Sequence, residues 1–164
     1  MFSEQTTAYA KTVLAKAGEA GLMVATAESC TGGLVAASLT EIAGSSSVMD
    51  RGFVTYSNHA KMQMLGVPEK VLADHGAVSE QTARAMATGA ITNSDASVAV
   101  SITGIAGPGG GSAEKPVGLV HFAAARADGV VLHVERRFGD LGRDGVRQAA
   151  LDQALQLLSD ILDA

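Results

Sequence analysis

The run Val98-Ala99-Val100-Ser101-Ile102 passes without a break into Thr103-Gly104-Ile105-Ala106-Gly107-Pro108-Gly109-Gly110-Gly111. β-Branched residues bounded by turn formers read as a buried strand. Buried strands need covering layers, and most of the remaining chain offers helices for that purpose. Residues 3–17 have helical composition with Gly18 placed to end them, and residues 34–43 run to a stop at Gly44. Asn58 is placed to cap a helix through Leu65 that Gly66 closes, Pro68 begins another, and Ser79 caps a longer one to about Thr92. The last helix, 144–162, carries an apolar stripe at Val146, Ala150, Leu151, Ala154, Leu155, Leu158 and Ile161.

Further strands are expected at 22–25 and 53–56. Residues 117–125 and 130–138 flank Asp128-Gly129, a two-residue hairpin signal. Helices interleaved with strands predict an α/β fold: one compact layered domain over residues 1–164, with a mixed sheet that includes one antiparallel hairpin and is flanked by helices. Apolar residues make up 47% of the chain and aromatics only 4%, so small side chains must pack tightly around closely approaching backbones. A single core suits 164 residues.

A net charge of −5 argues against binding driven by phosphate neutralisation, so no nucleic acid partner is expected. The lone Cys30 excludes an intramolecular disulfide. Met1-Phe2-Ser3-Glu4-Gln5 lacks the features of a signal peptide, and no apolar stretch is long enough to span a bilayer. The expectation is a soluble, cytoplasmic protein without a membrane partner.

Three turns follow strand-like runs, the places where open α/β sheets bind ligands. In Glu28-Ser29-Cys30-Thr31-Gly32-Gly33, Ser29 falls at a strand-to-helix turn, and free N–H groups at the helix start suit an oxyanion or a phosphate. A simple helix cap at Ser29 or Thr31 explains the local residues equally well. In Tyr56-Ser57-Asn58-His59-Ala60-Lys61, Tyr56 and Lys61 are placed to share the crevice. A desolvated lysine there would deprotonate a serine, whereas a lysine met in isolation is more often solvated. The third turn, from Thr103 to Gly111, lacks the spacing of a P-loop or a dinucleotide fingerprint. Its glycine density fits a backbone that closes over a small ligand.

His59, His75, His121 and His133 show no metal-ligand spacing. With Asp128-Gly129 as a two-residue turn, His121 would face Arg136 and His133 would face Ala124. The two histidines would then project from opposite faces, so no metal site is expected. Cys30 competes with Ser29 as nucleophile, but a lone cysteine is more often buried structure, and Ser29 is preferred.

Taken in order, Ala27-Glu28-Ser29-Cys30-Thr31-Gly32-Gly33, Arg51-Gly52-Phe53-Val54-Thr55-Tyr56-Ser57-Asn58, Lys61, Gly76-Ala77-Val78-Ser79 and Thr103-Gly104-Ile105-Ala106-Gly107-Pro108-Gly109-Gly110 closely resemble the CinA C-terminal domain family, the nicotinamide-nucleotide amidases, over essentially the whole chain. The resemblance, in its stand-alone form, implies hydrolysis of nicotinamide mononucleotide to nicotinate mononucleotide and ammonia without a cofactor, in pyridine-nucleotide recycling. It implies Ser29 as nucleophile, Lys61 as general base and Tyr56 as an assisting or positioning group. Glu28, Thr31, Gly32, Gly33, Thr103 and Gly104 would contact substrate or support its oxyanion. An arginine after the last strand would hold the phosphate. Here Gly139-Asp140-Leu141-Gly142-Arg143-Asp144-Gly145-Val146-Arg147 is longer than the family's compact Gly-Asp-Arg; Arg143 is the choice and Arg147 the alternative. A homo-oligomer is also implied. The rival readings are a pyridine-nucleotide sensor without turnover and a nucleotide-sugar hydrolase, which would need metal carboxylates.

Overall fold

The computed structural model describes residues 1–164. Its helices are α1 (Glu4–Ala20), α2 (Leu34–Thr40), α3 (Asn58–Leu65), α4 (Glu69–His75), α5 (Glu80–Thr92) and α6 (Gly142–Asp163). Its strands are β1 (Val24–Glu28), β2 (Met49–Val54), β3 (Val98–Gly104), β4 (Leu119–Arg126) and β5 (Val131–Arg137). They form one sheet in the order β2-β1-β3-β4-β5. β1 pairs in parallel with β2 and β3, whereas β3–β4 and β4–β5 are antiparallel. This is the mixed sheet with a hairpin expected of an α/β domain.

Period-2 alternation sorts the two faces of the sheet. Val24, Val98, Val100, Ile102, Val120 and Phe122 pack with α1, α2 and α6 in the larger core. The opposite face of the same strands carries small residues: Ala25, Ala27, Ala99, Ser101, Ala123 and Ala125. Against it lies α5, with Ala83, Ala87 and Ala90 buried. Small side chains on both sides let the α5 backbone approach the strands, and Ser101 Oγ donates to Ala83 O at 2.6 Å. At Gly89 an added Cβ would fall 1.9 Å from Leu65 O, so α5 also touches the end of α3 through bare backbone.

Several expected boundaries move. α1 runs through Gly18 and ends at Gly21 (φ 67°), whose N–H reaches Ala17 O and Gly18 O. β1 extends over polar Thr26 and Glu28, and β2 begins at Met49 because an edge strand tolerates exposed Arg51 and Gly52.

The hairpin corrects the expected histidine geometry. Arg126 N donates to Val130 O, so the loop has three residues, 127–129, with Gly129 at φ 98°. That moves the register by one: His121 faces Glu135 and His133 faces Ala123. The histidines therefore share a face. His121 Nδ1 and His133 Nε2 are 3.0 Å apart in stacked rings, and burial pushes both below the usual imidazole range. Glu80 Oε1 stands 3.8 Å from His133 Nδ1, and no three such side chains are grouped to hold a metal ion.

Candidate active site

The crossover from β1 to β2 runs through α2 on one face, and that from β2 to β3 runs through α3–α5 on the other. A crevice therefore opens at the carboxyl ends of β1 and β3. It holds a cavity of about 210 Å³ lined by Ser29, Lys61, Tyr56, Thr103, Gly104 and Arg143, with Cys30, Asn58, Ala77, Val78 and Ala106 completing the wall. A second cavity of about 240 Å³ adjoins it through Ala106 and Arg143.

Ser29 follows β1 directly, and its N–H still pairs with Ile102 O. Strand alternation sends Glu28 towards α2 and Ser29 towards α3. Lys61 lies in the first turn of α3, which Ser57 caps by accepting from Ala60 N. Its ammonium end is drawn inward, leaving the residue 1% exposed. Nζ donates to Thr55 O at 2.9 Å and lies 3.1 Å from Ser29 Oγ. No carboxylate forms a salt bridge with it, and burial lowers its pKa below the ordinary lysine value of 10.5. A neutral amine can keep the Thr55 bond through one N–H while its lone pair accepts the Ser29 proton.

Glu28, expected among the substrate contacts, lies elsewhere. Its fully buried carboxylate accepts from Gly33 N (3.2 Å), Val35 N (2.9 Å), Ala36 N (2.9 Å) and Thr26 Oγ1 (3.1 Å). Gly33, the N-cap of α2, has no side chain to satisfy those amides, so Glu28 does it from the neighbouring strand. Thr31, Gly32 and Gly33 also stay off the cavity wall. Gly33 N–H is spent on Glu28 and Gly32 N–H on Ser29 O, so neither is free for an oxyanion. The turn still needs both glycines, at φ 59° and 102°.

Thr103 reaches the wall, but its hydroxyl donates to Ala77 O at 2.7 Å and thereby fixes the Ala77-Val78 segment beside the nucleophile. Those two residues and Ala106 have no role in the sequence reading, and Asn58, expected to cap α3, instead lines the cavity because Ser57 takes the cap. Only their position within the motifs marked them. Cys30 packs into the larger core, and burial raises its thiol to about 11, a poor nucleophile at neutral pH.

The two arginines separate. Arg143 Nη1 donates to Gly107 O (2.8 Å) and Nη2 to Tyr56 OH (3.0 Å), at the opening between the two cavities. Arg147 donates to Cys30 O and Thr31 O, behind the nucleophile turn. Tyr56 is 62% exposed, and its hydroxyl stands at the rim.

The model of the CinA C-terminal domain matches residues 6–162. The chain belongs to that family. The nicotinamide-nucleotide amidohydrolase PncC of Escherichia coli K12 is 58% identical to this CinA domain over 139 residues, covering 84% of this chain and 83% of that protein. The enzyme of the same name from Enterobacter agglomerans is 56% identical over 137 residues. The domain spans 35% of the longer CinA-like protein of Anaeromyxobacter dehalogenans, with 53% identity. The crystal structure of the competence/damage inducible protein CihA from Agrobacterium tumefaciens superposes on the whole domain with a TM-score of 0.97 at 55% identity, over 99% of that chain. No helix of the CinA domain is long and apolar enough to cross a membrane.

Proposed function

We propose that this chain hydrolyses the carboxamide of nicotinamide mononucleotide, giving nicotinate mononucleotide and ammonia, by a metal-independent Ser29–Lys61 mechanism. One observation carries the chemistry: a buried lysine, free of any carboxylate, stands 3.1 Å from a serine hydroxyl on a cavity wall. Two relatives above 55% identity that bear the name nicotinamide-nucleotide amidohydrolase support the substrate.

Lys61 takes the Ser29 proton as Oγ bonds to the carboxamide carbon, and the carbonyl oxygen becomes an oxyanion. Collapse breaks the C–N bond, and Lys61 returns the proton to the departing ammonia. The nicotinoyl ester on Ser29 is then cleaved by water, again with Lys61 as base. Arg143 at the junction of the two cavities suits the phosphate, because its fork can bind oxygens bidentately once Tyr56 and Gly107 yield. The phosphorylated substrate and the lone reduced cysteine fit a cytoplasmic enzyme of pyridine-nucleotide recycling, and we expect a homo-oligomer.

Ammonia release from the mononucleotide, the riboside and free nicotinamide tests this reading. The mononucleotide should be the preferred substrate by kcat/KM. Tight binding with no ammonia would replace the enzyme by a sensor.

A further inference from the structure

α6 carries two arginines, four residues and about one helical turn apart, one reaching the cavity and the other the back of the nucleophile turn. Arg143 goes to the glycine-rich loop; Arg147 Nε reaches Cys30 O at 3.1 Å and Nη2 reaches Thr31 O at 3.2 Å. The second guanidinium passes over Gly32, where an added Cβ would lie 3.5 Å from Nη2.

In a trans peptide the C=O and N–H of one plane point in opposite directions. Anchoring the Cys30 and Thr31 carbonyls on Arg147 therefore directs the Thr31 and Gly32 N–H groups to the far side. Gly32 N–H closes the turn on Ser29 O at 3.0 Å, and the same rule directs Cys30 N–H away from that carbonyl. No other residue accepts from the Cys30 or Thr31 amide, although both residues are buried; the Cys30 N–H lies only against its own thiol, a weak acceptor. Buried donors without a good acceptor are rare, and the Cys30 N–H is adjacent to the reacting serine on the cavity wall.

We propose that Arg147 is a positioning residue for acyl transfer at Ser29: it locks the Ser29–Gly32 turn so that the Cys30 N–H, on the cavity wall, receives the oxyanion. A carbonyl that accepts from a cation also polarises its peptide, so the contact at Thr31 O strengthens the Gly32 N–H that closes the turn on Ser29 O. The role requires two donors at fixed spacing, which a guanidinium has and an ammonium lacks. Arg147 is then no phosphate ligand. The inference rests on the proposed Ser29 chemistry.

Arg147→Lys and Arg147→Gln, checked for folding by thermal melts, test it in three assays: turnover of the mononucleotide, turnover of the riboside, and labelling of Ser29 by a fluorophosphonate. Labelling needs no natural substrate, but it places a phosphoryl oxygen where the oxyanion forms. The expected result is a roughly 100-fold fall in kcat for both substrates, with KM within about threefold and labelling slowed by a similar factor. Glutamine serves if the lysine variant does not fold. A raised KM confined to the mononucleotide would make Arg147 a phosphate ligand and overturn the proposal. Unchanged labelling in a folded variant would overturn it too. A wild type that labels but releases no ammonia refutes the deamidation alone, and the labelling ratio still decides Arg147. A wild type that does not label at Ser29 removes both.

Discussion

Glu28→Gln is the substitution whose outcome follows most directly from geometry. The carboxylate serves two pairs of donors: Gly33 N and Val35 N on Oε1, Ala36 N and Thr26 Oγ1 on Oε2. A glutamine keeps the shape but has one acceptor oxygen. Its better orientation leaves the oxygen facing the first pair and the NH2 facing the second. Thr26 can rotate to accept, but the half-buried Ala36 N–H then meets another donor and is left without a partner. An unsatisfied buried amide costs about 1–3 kcal/mol. Two more bonds lose their charge assistance, and removing a buried charge offsets part of that loss. The net expectation is about 2 kcal/mol, or roughly 4–8 °C in Tm for a domain of this size. Urea unfolding and thermal melts at neutral pH measure it directly. Activity should fall as well, through the Ser29 turn, with KM little changed. A Glu28→Gln protein as stable as the wild type would refute the capping argument, because the carboxylate would then be a tolerated buried charge rather than the anchor of α2.

Ser29→Ala and Lys61→Met should each remove nearly all ammonia release, and the double variant should be no worse than either, as for residues in one proton-transfer unit. Cys30→Ala should keep most activity; a dead Cys30→Ala with an active Ser29→Ala would install a thiol amidase instead. Activity should rise with pH as Lys61 deprotonates, with a midpoint below the ordinary lysine value of 10.5. Stability has the same sign. Between the depressed folded value and 10.5 the unfolded chain binds the extra proton, so wild-type stability relative to Lys61→Met should climb with pH in chemical denaturation. Arg143→Ala should raise KM for the mononucleotide at least tenfold and leave the riboside nearly unaffected, as steady-state kinetics on both substrates would show.

Much of this was legible in the residues because local chemistry and fold agreed. Ser79 caps α5 and Gly66 closes α3 at the expected places, and Ser29, Tyr56, Lys61, Thr103, Gly104 and Arg143 converge on one cavity. What escaped depends on partners distant in sequence. Gly18 and Gly21 are equally good helix stops locally, and the choice falls to Gly21 because Leu22 must then turn in to pack against the larger core. A glutamate at the end of a strand reads as a ligand-facing residue until α2 is placed over it. The histidine pair turned on a single loop residue, since a register shift of one moves every side chain to the other face. Arg147 had a visible signal, its four-residue spacing from Arg143, but which carbonyls it would meet depended on where α6 docks.

The alanine-lined seam between α5 and the sheet has a consequence at the level of the gene. A one-base change in an alanine codon yields Thr, Ser, Pro, Val, Asp, Glu or Gly, and only glycine is smaller. At Ala83, Ala87, Ala99 and Ala123 nearly every point mutation therefore adds atoms where two backbones already lie close together. Overfilling a packed interior costs about 1–3 kcal/mol, more when the added atoms are polar and unpartnered. A mutational scan should find this seam depleted of variants along its whole length, whereas the Leu- and Val-filled layer under α6 should accept interchange among aliphatic residues. Drift in this lineage is thus funnelled to one side of the sheet.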